Sequence, residues 1–196
     1  MNSLREAIKS RRSCRSYAPE PLSREQVEAL ITEAVWAPSG SNDQPWRFVV
    51  IQNPDRLKAY SDLAKKQWLE GMKLNPAPTA QKKRYEQLLL DPTFNIFYNA
   101  PTLVVVYGDK ASRWHVYDCS MVAYNLMLLA EADGLASCWI GFAHWVLDGD
   151  DVKQGLGIPP EYKLVAPIIL GHPAADTARP VVPRKPFATV FVDDLK

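Results

Sequence analysis

The chain has 196 residues, 47% hydrophobic and 23% charged, with a formal net charge of +1. That length fits one domain, residues 1–196, able to bury a full core without a disulfide or a metal. The near-neutral balance gives no electrostatic reason to seek nucleic acid or an anionic membrane. Three widely spaced cysteines, Cys14, Cys119 and Cys138, with no C-x-x-C, argue against a disulfide framework or a zinc site and suit a reducing cytoplasm.

In chain order, Ser3-Leu4-Arg5-Glu6 is a capping box, so a short helix is expected there, ending near Arg11. No apolar run near the N-terminus resembles a signal peptide. Ser23-Arg24-Glu25-Gln26 is a second capping box; it opens a helix with Val27, Leu30, Ile31, Ala34 and Val35 at helical spacing, which Pro38 should stop. Residues 48–51 read as a buried strand, and Asn53-Pro54 as the cap of a further helix.

Between residues 70 and 95, Gly71, Pro76, Pro78 and Pro92 punctuate the pattern, with a helix expected over 80–90. Residues 101–108 have the β-branched centre of a strand. Residues 113–133 form the most apolar helix, with apolar side chains around nearly its whole circumference, which predicts burial on every side. Its most apolar part, 121–130, is too short for a bilayer, which takes about 20 residues.

Residues 137–141 read as a short strand or turn. Asp148 is expected to cap a small helix, and 163–170 form an apolar strand ended by Gly171. The proline-rich stretch 173–186 should be extended, and 187–192 could add a last strand. The whole reads as an α+β domain with a central sheet and helices on both faces.

Two segments carry the candidate chemistry. Arg11-Arg12-Ser13-Cys14-Arg15 puts three guanidinium groups within five residues, with no acid between Glu6 and Glu20. Such groups bind phosphate in bidentate fashion and keep their charge at any working pH. The plainer reading is a solvated basic helix end.

The second segment, residues 37–46, gathers Ser39, Ser41, Asn42 and Gln44 around Gly40, between Pro38 and Pro45. Its amide side chains match the donor–acceptor edge of a pyrimidine-like ring, and its plainer reading is a helix-stop turn. There is no G-x-G-x-x-G, P-loop, G-x-S-x-G or H-E-x-x-H motif, so a Rossmann nucleotide site, a hydrolase triad and a zincin site are not indicated, and no metal site is expected.

Arg-Arg-Ser-x-Arg-x-Tyr from Arg11, followed by Ala37-Pro-Ser-x-x-Asn-x-Gln-Pro-Trp-x-Phe-Val-Val, resembles the FMN-dependent nitroreductase family. Further segments agree in order and spacing. They are Asn99-Ala100-Pro101, Asp118-x-x-Met121-x-x-x-Asn125-Leu126 running into Gly134-Leu135-x-x-Cys138-Trp139-Ile140-Gly141, and Leu156-Gly157-Ile158-Pro159 with Ile168-x-Leu170-Gly171 and Pro183-Arg184-Lys185-Pro186.

The resemblance implies a nitroreductase-like fold, with a central mixed or antiparallel sheet flanked by helices, in an intertwined homodimer with two interfacial FMN sites. By it, Arg11 and Arg184 would hold the phosphate, with Arg12 and Ser13 beside it, and Arg15 would lie near N1 and O2 of the ring. Pro38, Ser39, Gly40, Asn42 and Gln44 would come from the partner subunit, and the N–H of Ile140 or Gly141 would meet flavin N5. NADPH or NADH would supply electrons, and a nitroaromatic, quinone or similar conjugated acceptor would take them in ping-pong order, with no side chain acting as catalyst.

The sequence departs from the family where a lysine is often found before Asn99, with Asn95 as a candidate there, and where a basic residue is often found before Arg184, with Val182 in its place and Lys185 as a candidate substitute. Trp68, Tyr85, Phe94 and Phe97 could stack on an acceptor or simply pack. A different reaction on the same fold (dehydrogenation, reductive dehalogenation or flavin breakdown), a flavin-binding module without turnover, and a scaffold for another phosphate remain open.

Overall fold

The computed structural model describes residues 3–74, 79–175, 177, 180 and 182–192. Both capping boxes form. Ser3 and Glu6 close the N-terminus of α1 (Leu4–Ser10), and Ser23 and Gln26 close that of α2 (Arg24–Ala34). Helix α2 stops at Ala34, three residues short of where Pro38 alone would have ended it, with Val35 as its C-cap.

After a 3-10 turn at Gly40–Asn42 come β1 (Trp46–Ile51), α3 (Pro54–Leu74) and α4 (Ala80–Leu90). Asn53 caps α3 as expected, its Oδ1 accepting from Arg56 N–H at 2.8 Å. Gly71 does not break α3. An interior glycine costs a helix only about 1 kcal/mol, which the 21-residue α3 absorbs. Pro76 and Pro78 lie outside the described residues.

The chain continues through β2 (Thr102–Asp109), α5 (His115–Ala132), β3 (Ala136–Trp139), α6 (His144–Leu147), α7 (Asp150–Gly155) and β4 (Tyr162–Gly171). The four strands form one antiparallel sheet in the order β1-β2-β4-β3. Central β2 is buried on both faces, and its alternation divides the core. Val104 and Val106 join α2 and α5, while Leu103, Val105 and Tyr107 join α3 and α6. A bulge opposite Val106 and Tyr107 turns two successive β4 residues, Val165 and Ala166, into the same cluster.

Four further expectations need correction. Residues 48–51 belong to an edge strand, so Val50 is exposed and only Ile51 is fully buried. Asp148 does not cap α7. Gly149 does, while the Asp148 carboxylate accepts from Leu164 N–H at 3.0 Å and pairs with Lys163 Nζ at 2.6 Å, fixing the corner to β4.

Residues 187–192 add no strand, and their large apolar side chains are exposed. Helix α5 is not buried all round. Cys119, Val122, Ala123, Leu126 and Met127 pack inward, whereas Val116, Tyr117, Met121 and Tyr124 face outward, because sheet and α2 cover only one side of it. No helix among the described residues is long and apolar enough to cross a membrane.

Candidate functional site

Helix α1 ends at Ser10, so the arginine run is extended rather than stacked on one helical face. It is tied to the end of the sheet. Ser13 bridges Ser137 in parallel, Cys14 N–H donates to Ser137 O at 3.0 Å, and Ala18 N–H donates to His172 O at 2.9 Å. Ala174 N–H returns to Ser16 O at 3.2 Å, which brings the C-terminal segment alongside.

The result is a cleft of about 720 Å³ lined by Arg12, Ser13, Arg15, Thr177 and Arg184 among others. Its described lining holds three arginines and no carboxylate. Residues 172 positions apart in the chain, Arg12 and Arg184, thus meet at one site. Arg11 is half-buried beside the cleft but does not line it.

Arg12 is partly committed. Its Nη1 donates to Lys9 O at 2.6 Å and Arg11 O at 2.9 Å, and its Nε donates to Pro180 O at 3.0 Å. It therefore pins the C-terminal segment and has only Nη2 left for a ligand.

Arg15 lines a second cleft as well, of about 700 Å³, with Trp68, Arg84, Tyr85, Tyr98, Trp139 and Gly141. This cleft has aromatic walls fixed to one another. Trp68 stacks on Trp145 at 4.2 Å and donates from Nε1 to Phe142 O at 2.9 Å, and Tyr85 meets Phe142 edge-on at 5.3 Å.

The two backbone candidates at its floor separate cleanly. Ile140 N–H is already spent on Pro167 O at 2.8 Å. Gly141 N–H has no partner among the described residues, and a Cβ on Gly141 would meet nothing within 4 Å. Cys138 lies beneath. Burial pushes its thiol above the ordinary value, against the pull of Arg15, Ser13 and Arg11, so it stays protonated and unreactive at neutral pH.

The polar loop is tied by hydrogen bonds within itself and to Asp118. Ser41, Asn42 and Gln44 adopt positive φ of 52°, 58° and 48°. Ser39 Oγ accepts from Gln44 N–H at 3.1 Å, and Gln44 Nε2 donates to Asn42 Oδ1 at 3.0 Å. Both oxygens of the buried Asp118 carboxylate lie 3.2 Å from Gly40 N.

This loop and the arginine cleft are not together in the chain. Pro45 O accepts from Asp109 N–H at one end of β2, whereas the arginine run attaches at Ser137, whose partner Leu170 pairs with Thr102 at the other end. Seven residues of strand, about 24 Å, separate the two ends.

Of the remaining candidates, Phe97 is buried in the core, and Phe94 and Asn95 line a different cleft. Asn95 Oδ1 accepts from Phe97 N–H at 2.8 Å and so shapes its own turn. Lys185 is exposed and lines no cleft that Arg184 lines. Sequence reasoning missed Arg84, Tyr98 and Phe142. The available signal was a cation flanked by an aromatic on α4, which looks like any solvated helix face. No cluster of three metal-ligating side chains occurs among the described residues.

An antiparallel four-stranded sheet flanked by helices, with an arginine-lined cleft at one sheet end and an aromatic cleft beside it, defines the α+β architecture of the chain. The chain belongs to the nitroreductase family, whose model matches residues 8–172. It is 30% identical, over 85% of this chain and 83% of the relative, to a provisionally named NADH dehydrogenase/NAD(P)H nitroreductase of Archaeoglobus fulgidus. It is 28% identical to the iodotyrosine deiodinase of Nematostella vectensis over 95% of this chain and 73% of that one. A nitroreductase with bound FMN from Bacteroides fragilis superposes with a TM-score of 0.81 at 26% identity, covering 98% of this chain and 100% of the other.

Proposed function

We propose that the protein is a cytoplasmic FMN-dependent NAD(P)H oxidoreductase, one FMN-binding domain per chain, working as a homodimer on nitroaromatics, quinones or related conjugated acceptors. The observation that carries this is the junction at Arg15, where a cleft with three arginines among its described lining residues opens beside an aromatic one. That arrangement fits a ligand with a phosphate at one end and a flat polar ring at the other. The N–H of Gly141, without a partner among the described residues and with open space before it, fits a ring nitrogen, which supports Gly141 rather than Ile140 in that role. The Bacteroides fragilis relative holds FMN, which supports the same choice of ligand.

In this reading Arg184 and the free Nη2 of Arg12 hold the phosphate, with Arg11 and Ser13 adjoining, and Arg15 places positive charge at the pyrimidine edge. When bound, FMN supplies two-electron chemistry, accepting hydride from NADH or NADPH and passing electrons to the acceptor. The protein binds, orients and shields, and one open cleft serving donor and acceptor in turn gives ping-pong kinetics.

The distance of about 24 Å along the strands between the loop at 38–44 and the arginine cleft supports a site completed by Pro38, Ser39, Gly40, Asn42 and Gln44 of a second copy. The outward apolar face of α5 supports the same dimer.

An absorbance spectrum of the purified protein, before and after anaerobic NADPH or NADH, tests the reading. A flavin band that bleaches with the donor and recovers with a nitroaromatic or quinone is the expected result. Failure to take up added FMN would overturn it. The likeness to an iodotyrosine deiodinase favours one second reading, reductive dehalogenation; recovery of the band with a halogenated phenol but not with a nitroaromatic would select it.

A further inference from the structure

The aromatic cleft carries more positive charge than a cofactor ring accounts for. Two cations line it, Arg15 and Arg84, and no carboxylate does among the described residues. If Arg15 serves the pyrimidine edge, Arg84 is left over.

Nothing on its own helix neutralises it. One turn before Arg84 on α4 stand Ala80 and Gln81, and one turn after stand Gln87 and Leu88, so no i,i+3 or i,i+4 acid is available. Arg84 makes no ion pair or hydrogen bond among the described residues. The stretch of α4 that carries it is anchored at the cleft, because the adjacent Tyr85 packs edge-on against Phe142 at 5.3 Å, and Phe142 in turn meets Trp68 edge-on at 5.3 Å.

We propose that this cleft selects conjugated acceptors bearing an anionic substituent, a ring carboxylate or phenolate, and that Arg84 is the residue that reads the charge. The proposal rests on the FMN reading above. Aromatic walls hold the flat body of such an acceptor, and the guanidinium fork offers a carboxylate two parallel hydrogen bonds. Because Arg84 is exposed, the discrimination is modest rather than absolute.

The test is a binding titration with no turnover. Oxidised, FMN-loaded protein is titrated with 4-nitrobenzoate and with 4-nitrobenzamide, which share shape but not charge, following the perturbation of the flavin absorbance. The anion is expected to bind about tenfold more tightly, and Arg84→Gln to remove that preference by weakening only the anion. Lys83→Gln, the same charge change one residue away and outside the cleft lining, is expected to preserve it.

Equal affinities for the two probes, or equal weakening of both by Arg84→Gln, would overturn the proposal. So would an Arg84→Gln effect confined to a non-reducible NADPH analogue, which would assign the cation to the donor's phosphates instead. A protein that takes up no FMN would remove the underlying reading and this proposal together, whereas FMN uptake without anion preference removes this proposal alone.

Discussion

Gly40 is the tightest residue of the polar loop. A Cβ added there would lie 2.5 Å from Trp114 Cδ1, so Trp114 must swing away or the loop must shift. Its N–H is held by Asp118, 78 residues further on and buried at the start of α5. Asp118→Ala would leave that donor without its acceptor and is expected to cost about 1–3 kcal/mol of stability. Asp118→Asn keeps an oxygen in place and should recover part of the loss, as chemical denaturation would read. A variant Asp118→Ala with unchanged stability would mean that the loop is held by its internal bonds alone.

At the other pole of the site, Arg184→Ala is expected to weaken FMN by roughly 1.5–3 kcal/mol, the scale of a charged hydrogen bond. Arg11→Ala should fall at the lower end of that range, since Arg11 stands outside the cleft lining. Wild-type FMN affinity in both variants, measured by fluorescence quenching, would remove the phosphate assignment. The candidate residues themselves are readable from the sequence. A run of arginines without acids and a loop of short polar side chains around a glycine are local signals. The commitment of Ile140 N–H to Pro167 and the Asp118–Gly40 contact are not, because each joins distant residues through the fold.

Among the elements, each face of β2 buries a group that titrates: Cys119 of α5 packs against one face, and the Tyr107 phenol lies on the other, donating to Leu147 O at 2.7 Å. Burial raises the Cys119 thiol to about 12, against an ordinary value of 9.0, and pushes the Tyr107 phenol up as well. The folded chain keeps protons that the unfolded chain releases. This stabilisation is therefore complete below about pH 9 and is lost as pH rises through the folded values. Melting temperature should fall steadily between about pH 9 and pH 11, and Cys119→Ala, though less stable overall, should show a shallower fall. Equal slopes would place the alkaline loss elsewhere.

Element types followed from capping and periodicity because those are short-range devices. Ser3, Ser23 and Asn53 all cap where they were expected to. The errors fell where tertiary context decides. Gly71 continues the long helix α3, 48–51 is an edge, and Asp148 spends its carboxylate on β4. The run 187–192 has strand composition but no described edge pairs with it.

At the scale of the whole molecule, the apolar outward face of α5 and the separation of the two halves of the site ask for the same thing. Val116, Tyr117, Met121 and Tyr124 form a stripe that a single sheet cannot cover. A second copy related by a two-fold axis would cover it with its own equivalent stripe. The same operation would carry the loop of one chain toward the arginines of the other. Mixing two defective chains separates this arrangement from a site held within one chain.

Take Arg184→Ala, which spoils the arginine cleft, and Asn42→Ala/Gln44→Ala, which spoils the loop, and refold the two together. If each site is shared, every mixed dimer contains one site with both defects and one with neither. Random pairing makes half of the dimers mixed, so about a quarter of all sites should recover FMN binding. If each site belonged to one chain, every site would carry one defect and none would recover. Equilibrium dialysis of FMN against the mixture, compared with each variant refolded alone, reads the difference directly. A glutamate in place of Tyr124 should abolish the recovery by keeping the chains apart, which ties the exposed stripe on α5 to completion of the site.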